Sequence, residues 1–271
     1  MTTLVRLASE RSLTIEEAEA AFTEVMEGRA SPVQIAALLV GIRARGAVAA
    51  EVAGGVRALR AAMVAVRPAS EGPLVDTCGT GGGGLTTFNI STAAALVAAA
   101  GGARVAKHGN RSFTSRCGSA DVLEALGVKL EVTPEREARI LDETGIVFMF
   151  APLHHPAMRH VGPVRRELAM PTIMNVLGPL TNPAGAQRQV VGVADPRLLD
   201  LVAEALQVLG QRRLELTGGA YAWVGVPFEL ETPAELQALF AAVAGQPAIA
   251  LAVSGGAGTW LRRPQIGRAH V

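Results

Sequence analysis

The first seventy residues carry apolar side chains at the three- and four-residue spacing of amphipathic helices. Thr14 and Glu17 have the spacing of a capping box, and Ser31 followed by Pro32 is typical of a helix start. Three helices are predicted from these patterns: Thr14 to Glu27, Ser31 to Gly46 and Glu51 to Val66. No cluster of polar residues here indicates chemistry, so we interpret residues 1–70 as a helical domain for packing or dimerisation.

From Pro73 onward, short apolar segments alternate with helical segments, and glycine lies between them. The predicted strands are Leu74 to Cys78, Ala103 to Ala106, Ile146 to Ala151 and Gln189 to Ala194. The predicted helices are Ser91 to Ala100, Ala120 to Leu126, Pro134 to Glu143 and Pro196 to Leu209. This alternation is typical of a parallel sheet covered by helices. We therefore predict an α/β fold with a small N-terminal helical domain and a larger α/β domain around a mainly parallel central sheet.

Composition narrows the class of protein. The chain has 271 residues and a formal net charge of +1, so no global field attracts nucleic acid or a membrane, and any anion site must be local. The two cysteines, Cys78 and Cys117, form no paired motif, and no secretory signal or long apolar span is present. We expect a soluble cytoplasmic protein in which both thiols are buried packing groups.

A glycine-rich segment, Gly79 to Gly84, follows the first predicted strand, and Thr86 to Thr92 then leads into a helix. Glycines allow backbone N–H groups to approach an anion, and a helix N-terminus adds unpaired N–H groups and a positive dipole end. A phosphate would fit there. Such a turn is also a common tight connection, and its spacing matches neither the dinucleotide nor the Walker pattern.

A second polar segment follows the next predicted strand. It combines two cations, several hydroxyls and two glycines: Lys107-His108-Gly109-Asn110-Arg111-Ser112, Ser115 and Gly118-Ser119-Ala120-Asp121. Ligands of open α/β sheets bind at the carboxyl ends of strands, where both segments are predicted to lie. A solvated charged turn would not need so many donors between glycines, so the pair of segments favours an anion site.

Five motifs stand in the order and at the spacing of a known family: Gly79-Thr80-Gly81-Gly82, Asn89-Ile90-Ser91-Thr92, Lys107 to Ser112, Gly118 to Asp121, and Gly178-Pro179-Leu180-Thr181-Asn182-Pro183. In these motifs the chain resembles anthranilate phosphoribosyltransferase, from the first helix to about Arg213. The resemblance implies a fold of the nucleoside phosphorylase and phosphoribosyltransferase type. It divides the chain into a helical domain (1–70), a phosphoribosyl-pyrophosphate-binding domain (71–213) and an atypical tail (214–271).

The resemblance also implies the reaction and its participants. The family transfers phosphoribosyl from phosphoribosyl pyrophosphate to anthranilate in tryptophan biosynthesis, with Mg²⁺, as a homodimer. The positions implied to bind phosphoribosyl pyrophosphate are Gly79, Gly82, Gly83, Thr87, Asn89, Ile90, Ser91, Thr92, Lys107, His108, Gly109, Asn110, Arg111, Ser112, Ser115 and Ser119. Those implied to bind anthranilate are Gly79, His108, Asn110 and Arg165, and Ser91 is the implied Mg²⁺ ligand. The resemblance implies no residue as acid or base.

Two departures from the family pattern stand out. Gly83 replaces the usual aspartate after the glycine motif, and no Asp-Glu pair for a second Mg²⁺ follows Arg213. The last residues, Ile266 to Val271, read as a translated sequencing adapter. We therefore interpret the tail as artefactual and the α/β domain as C-terminally incomplete, with an unpaired sheet edge and reduced stability.

Three alternatives remain at this stage. A pyrimidine nucleoside phosphorylase shares the architecture and the glycine loop, but Lys107 to Arg111 and Asn89 to Thr92 match the transferase better. A non-catalytic phosphoribosyl-binding paralogue or inactive fragment is consistent with Gly83 and the missing carboxylates. A metal site at His154, His155 and His160 is disfavoured, because the spacing matches no ordinary zinc pattern.

Overall fold

The computed structural model describes residues 1–81, 89–112 and 117–210, together with the backbone of two further strands at 215–217 and 222–225. The chain folds into a small N-terminal helical domain and an α/β domain whose sheet is mainly parallel, as predicted. No helix in the described part of the chain is both long and apolar enough to span a membrane.

The helical domain contains four helices: α1 (Thr2–Glu10), α2 (Ile15–Met26), α3 (Pro32–Arg45) and α4 (Ala49–Ala62). Both predicted helix starts are confirmed, since the Thr14 side chain accepts a hydrogen bond from the Glu17 N–H, and Ser31 caps α3 in the same way. Sequence analysis did not predict α1. No side chain caps it, so its start carries no local signal.

The sheet has the strand order β3-β2-β1-β4-β6-β5. The strands are β1 (Val75–Gly79), β2 (Val105–Gly109), β3 (Ile146–Phe150), β4 (Arg188–Val193), β5 (Glu215–Thr217) and β6 (Ala222–Gly225). The first four are parallel, whereas β6 and β5 are antiparallel additions beside β4. The described sheet thus extends beyond β4, because β6 pairs with it from Val190 to Val193, and the predicted effect of an unpaired edge on stability stays a prediction.

In the described part of the α/β domain there are seven α-helices: α5 (Ile90–Ala100), α6 (Ser119–Ala125), α7 (Pro134–Thr144), α8 (Ala151–His154), α9 (Gly162–Leu168), α10 (Met174–Leu177) and α11 (Leu199–Val208). The start and end signals predicted for α7 are confirmed: Thr133 caps it, and Gly145 ends it with a φ of 77°. The helix predicted from Pro196 begins instead as a 3-10 turn, and α11 starts at Leu199. Sequence analysis did not predict the short helices α8, α9 and α10.

The predicted end of β2 at Ala106 is wrong. The strand continues to Gly109, so Lys107 and His108 lie on it rather than in a loop. Both side chains are buried, with 3% and 7% of their surfaces exposed. The sequence predicted a loop at these residues because a lysine is rarely buried in a strand unless it has hydrogen-bond or ion-pair partners.

Two buried contacts fix the helical domain. The Glu51 carboxylate, fully buried, accepts hydrogen bonds from the Leu13 and Val48 N–H groups and forms an ion pair with Arg45. Arg60 on α4 reaches the α/β domain, where its Nε and Nη2 lie 3.2 and 2.8 Å from the Leu180 carbonyl oxygen. This contact joins the helical domain to the loop that precedes β4.

Helices α2 and α4 cross closely at Gly54. A Cβ built at Gly54 would lie 2.4 Å from the Ile15 carbonyl oxygen, which is backbone and cannot rotate away. We expect Gly54→Ala to lower the free energy of unfolding by about 1–3 kcal/mol, because overpacking outweighs the better helix propensity of alanine. Chemical denaturation followed by circular dichroism measures this change.

Gly41→Ala is the matched control, since Gly41 lies inside α3 and a Cβ there would meet Ser9 at an ordinary 3.6 Å. Its expected effect is neutral or stabilising by up to about 1 kcal/mol. Equal destabilisation by the two substitutions would contradict a steric cause at Gly54.

Candidate functional site

The candidate site lies where β1 and β2 end. Gly79, the last residue of β1, pairs with Gly192 on β4, and a Cβ at Gly79 would lie 3.2 Å from the Gly192 carbonyl oxygen. The glycine segment leaves the sheet at this point. Four predicted site residues, Gly82, Gly83, Thr87 and Ser115, lie outside the described residues.

Lys107 links β2 to β1 and to α5. Its ammonium donates to the Thr77 carbonyl oxygen at 2.5 Å and lies 3.3 Å from the Ser91 hydroxyl oxygen. The Thr77 hydroxyl in turn donates to the Ser91 carbonyl oxygen at 2.7 Å. Burial lowers the pKa of Lys107, while the neighbouring charge of Asp76 raises it, and the net direction is downward. The structure thus brings together Lys107 and Ser91, two of the predicted site residues.

Asp76 is a fully buried carboxylate beneath this cluster. One of its oxygens accepts the His108 backbone N–H at 3.1 Å, and the other accepts the side-chain amides of Asn182 at 2.9 Å and Gln189 at 3.4 Å. Burial raises the pKa of Asp76, against the opposing effects of Lys107 and these donors. Sequence analysis assigned no role to Asp76, Asn182 or Gln189. An aspartate inside an apolar strand was the one available signal.

The second polar segment folds back against the first. The Asn89 side-chain amide donates to the Gly118 carbonyl oxygen at 3.3 Å, so it joins the two segments. The Ser119 hydroxyl donates to the Asn110 carbonyl oxygen at 3.2 Å. Asp121 accepts the Gly118 N–H at 2.7 Å, which caps the first turn of α6.

Asp121 also fixes the rest of this segment, because it accepts the Ser112 N–H at 3.2 Å. These bonds lower the pKa of Asp121, and the Gly118 N–H contributes most. A Cβ at Gly109 would lie 2.3 Å from the Ser119 hydroxyl oxygen. A larger residue at Gly109 would have to displace the Ser119 side chain and the edge of the Phe148 ring, which would lie 2.7 Å from the added Cβ.

The Arg111 side chain already has carboxylate and aromatic partners. Its guanidinium forms ion pairs with Asp121 at 3.0 Å and Glu124 at 2.7 Å, and it lies 5.6 Å above the Phe150 ring. A role for this guanidinium in binding phosphate stays a prediction, since a phosphate would compete with two carboxylates of α6.

His108 and His155 form a buried pair. Their ring centroids are 5.0 Å apart at an interplanar angle of 53°, and neither Nε2 atom has a hydrogen-bond partner among the described residues. Burial, reinforced by His154, lowers the pKa of His155 to about 4. Burial and the neighbouring His155 hold the pKa of His108 well below its usual value. Both imidazoles are thus neutral near pH 7.

The third histidine of this region has a different environment. His154 Nδ1 lies 2.9 Å from the Val64 carbonyl oxygen, and its Nε2 lies 2.9 Å from a carboxylate oxygen of the buried Glu137. Burial alone would lower the pKa of His154, but the bonds to Glu137 and Val64 outweigh it, and the net direction is upward.

His160 lies elsewhere and packs against Gly28 of the helical domain. Across the residues that the structure describes, no group of three or more His, Cys, Asp or Glu side chains could hold a metal ion.

Arg165 lies on α9 and is half-buried. Burial lowers the pKa of its guanidinium, and within the described ranges its side chain has no hydrogen bond or ion pair to the other predicted site residues. Cys78 is buried as predicted. The prediction is wrong for Cys117, which is exposed and lies 3.5 Å from the Asn89 amide nitrogen.

Comparison with known protein families agrees with this architecture. Residues 2–63 match the helical bundle domain of the glycosyl transferase family, and residues 71–219 match the a/b domain of that family. The chain therefore belongs to the glycosyl transferase family. The match extends past Arg213, where the resemblance was expected to end.

Among individual curated proteins, the chain is similar to anthranilate phosphoribosyltransferases. The chain is 54% identical over 216 residues to the anthranilate phosphoribosyltransferase of Rubrobacter xylanophilus, covering 80% of the chain and 63% of that relative. It is 49% identical over 214 residues to the enzyme of the same name from Methanocorpusculum labreanum, covering 79% of the chain and 63% of the relative. The chain thus spans about 63% of the length of these relatives.

Solved structures are similar as well. The anthranilate phosphoribosyltransferase of Thermus thermophilus shares 51% identity, with a TM-score of 0.76 over 80% of the chain and 66% of that structure. The Saccharomyces cerevisiae enzyme in complex with PRPP and Mg shares 26% identity, with a TM-score of 0.71 over 80% and 66%. A variant of the yeast enzyme in complex with 4-fluoroanthranilate shares 25%, with a TM-score of 0.66 over 79% and 64%.

The histidine environments predict an order of titration. We expect the His155 ring to stay neutral until the pH approaches about 4, whereas His154 protonates above its usual 6.5. Ring ¹⁵N and ¹H shifts followed by NMR between pH 8 and pH 4.5 report the His154 titration and show whether the His155 ring is still largely neutral at the lower limit, with His155→Asn to assign the signals. Titration of His155 near the value of a free histidine would contradict the buried, uncharged pair.

Proposed function

We propose that this protein transfers the phosphoribosyl group of phosphoribosyl pyrophosphate to the amino group of anthranilate, giving N-(5-phosphoribosyl)anthranilate and pyrophosphate. One observation carries the proposal: the ammonium of Lys107 and the hydroxyl of Ser91 meet beside two glycine segments at the carboxyl edge of the sheet. The names of the relatives at about 50% identity support the substrate pair, and they do not favour the phosphorylase or the non-catalytic alternative.

The leaving group explains the choice of residues. Displacement at the anomeric carbon leaves negative charge on pyrophosphate, so the protein must stabilise that charge. Lys107 supplies one positive charge. The Asn89 side chain donates to Gly118 rather than capping α5, which leaves the first N–H groups of that helix to an anion. Thr92 adds a buried hydroxyl oxygen without a partner among the described residues.

Mg²⁺ is the proposed cofactor, and Ser91 fits it as a single protein ligand. The Ser91 hydroxyl is a hard oxygen ligand at the start of α5, yet it is a single neutral donor close to the Lys107 ammonium. Ser91 would therefore hold a metal whose other ligands are pyrophosphate oxygens and water, as Mg²⁺ prefers. When bound, the ion would neutralise charge on the leaving group.

The acceptor needs orientation more than a base, because the lone pair of an aromatic amine is free at neutral pH. We propose that neutral His108 and His155 line the acceptor pocket with Gly79 and Asn110, since a neutral Nε2 accepts a hydrogen bond from an amine. Arg165 is the proposed partner of the anthranilate carboxylate, which its planar guanidinium matches. The yeast complex with 4-fluoroanthranilate supports an acceptor of this shape.

We further propose a homodimer formed through the helical domain and a cytoplasmic location. The dimer is what the resemblance to the family implies. Sedimentation velocity of the purified protein measures the association state, and a monomer at all accessible concentrations would contradict the dimer.

A direct assay tests the function. Purified protein is mixed with anthranilate, phosphoribosyl pyrophosphate and Mg²⁺, and the loss of anthranilate fluorescence is followed. We expect a loss that requires all three additions. Binding of phosphoribosyl pyrophosphate by calorimetry without any fluorescence change would favour the non-catalytic alternative, and phosphorolysis of thymidine or uridine would favour the phosphorylase.

Arg165→Ala tests the acceptor site. We expect the KM for anthranilate to rise on the order of tenfold to a hundredfold, because a charge-assisted bidentate contact is lost. The KM for phosphoribosyl pyrophosphate should stay within about twofold of the wild-type value. Steady-state kinetics with each substrate varied in turn measure both constants.

Arg166→Ala is the matched control, since Arg166 is the exposed neighbour on the same helix. It should leave both constants unchanged. If Arg165→Ala weakened the use of both substrates equally, the assignment of Arg165 to the carboxylate would be wrong.

A further inference from the structure

The two central strands, β1 and β2, form fewer residue pairs with each other than β1 forms with β4 or β2 forms with β3. Strand β1 pairs with β4 from Val75 to Gly79, and β2 pairs with β3 from Val105 to Gly109. Between β1 and β2, the register contains the single pair Val75 and Val105. The two strands therefore separate after their first pair and leave a gap toward the carboxyl edge.

Side chains occupy this gap and bind the backbone groups on both sides of it. On the β2 side, the His108 N–H donates to Asp76 at 3.1 Å, and the Ala106 carbonyl oxygen accepts from Asn182 at 2.8 Å. On the β1 side, the Thr77 carbonyl oxygen accepts from Lys107 at 2.5 Å. Asn182 also donates to Asp76 at 2.9 Å, so these two side chains form one network, and Lys107 lies beside it through its bond to the Thr77 carbonyl oxygen.

The network is costly in stability. Asp76 is fully buried, and Lys107 and Asn182 each expose 3% of their surface. Burying a carboxylate and an ammonium in place of ordinary ladder hydrogen bonds costs desolvation free energy that their hydrogen bonds and mutual attraction must offset. Stability alone therefore does not explain a strand gap that has to be filled by buried charged side chains. The network binds the backbone N–H of His108, and Lys107, the preceding residue on β2, bonds to the Thr77 carbonyl oxygen across the same gap.

We propose that Asp76 is a positioning residue that, with Asn182, holds β1 and β2 apart and so directs Lys107 to the phosphate side of the site and His108 to the acceptor side. The roles of Lys107 and His108 rest on the proposed function. The gap and its network rest on geometry alone.

Asp76→Asn tests the proposal with little change in shape. One atom of the new amide can still accept the His108 N–H, but the other becomes a donor that faces the donors of Asn182 and Gln189. We expect the gap to rearrange and the affinity for pyrophosphate with Mg²⁺, measured by calorimetry, to fall on the order of tenfold to a hundredfold.

The sign of the change is decisive. Asp76→Asn removes a negative charge close to Lys107, so charge alone would tighten the binding of an anion as long as Lys107 stays protonated. Because the Asp76 carboxylate also raises the pKa of Lys107, affinity is compared at two pH values, and a loss that grows with pH would show deprotonation of Lys107 rather than positioning. Weaker binding supports positioning, whereas unchanged or tighter binding would overturn it. Because inorganic pyrophosphate is the probe, the result does not depend on turnover: a wild type that binds pyrophosphate without transferring phosphoribosyl would contradict the proposed function and leave this test intact.

Asp142→Asn is the matched control. The Asp142 carboxylate also accepts two backbone N–H groups, those of Ala69 and Ser70 at 2.7 and 3.2 Å, but it lies on α7, away from the gap. We expect it to lower the melting temperature without changing pyrophosphate affinity. An equal loss of affinity in both variants would show a general effect of stability and overturn the proposal.

Turnover provides a second readout. In Asp76→Asn, the KM for anthranilate should rise together with the loss of pyrophosphate affinity, because the same carboxylate holds His108. Asp76→Glu keeps the charge and lengthens the side chain, so it should not restore either value. Recovery of wild-type values in Asp76→Glu would show that charge rather than position matters.

If Asp76→Asn does not fold, Gln189→Met tests the positioning role of Asp76 instead. It removes one donor to Asp76, at 3.4 Å, together with the bond of the same amide to the Pro179 carbonyl oxygen at 2.9 Å, and keeps a side chain of similar length. We expect pyrophosphate affinity to fall about twofold to fivefold, in line with the loss of a long hydrogen bond to a charged group. Unchanged affinity would overturn the positioning role.

Discussion

The hydrogen bonds of the buried Asp76 carboxylate are the constraint on which the site depends. Through them, β1 is tied to β2 at His108 and to the segment before β4 at Asn182. A carboxylate in this place satisfies backbone and amide donors that would otherwise be buried without partners. The same arrangement separates the two central strands, and it is in this separation that a lysine on a strand, Lys107, reaches a hydroxyl on a helix.

Electrostatics divides the site into two parts of different character. The part near Lys107 and the N-terminus of α5 is positive, whereas the part near His108 and His155 is uncharged because burial keeps both rings neutral. Under the proposed function, a charged leaving group and an aromatic amine would need different surroundings, and adjacent residues on the two sides of β2 would supply them. Formal net charge near zero is consistent with attraction that is local.

Local signals in the sequence predicted much of the fold, and contacts between distant residues account for what was missed. The caps Thr14 and Thr133 and the stop at Gly145 were readable because each acts within one helical turn. Helix α1 has no such cap and was missed. The polar character of Lys107 ended the predicted strand too early, since its partners come from β1 and α5. Asn182 lies 106 residues from Asp76, so no pattern within one sequence could pair them.

The bonds of Arg60 to the Leu180 carbonyl add a directional link to the hydrophobic core that the helical domain shares with β4 and α11. Leu180 precedes Asn182 by two residues, and Asn182 is held by Asp76. A rotation of α4 against the sheet must therefore either break the bonds of Arg60 or pull on the chain that ends in the Asp76 network. The helical domain and the strand gap are therefore mechanically coupled through a short chain segment, and movement of either one is limited by the other.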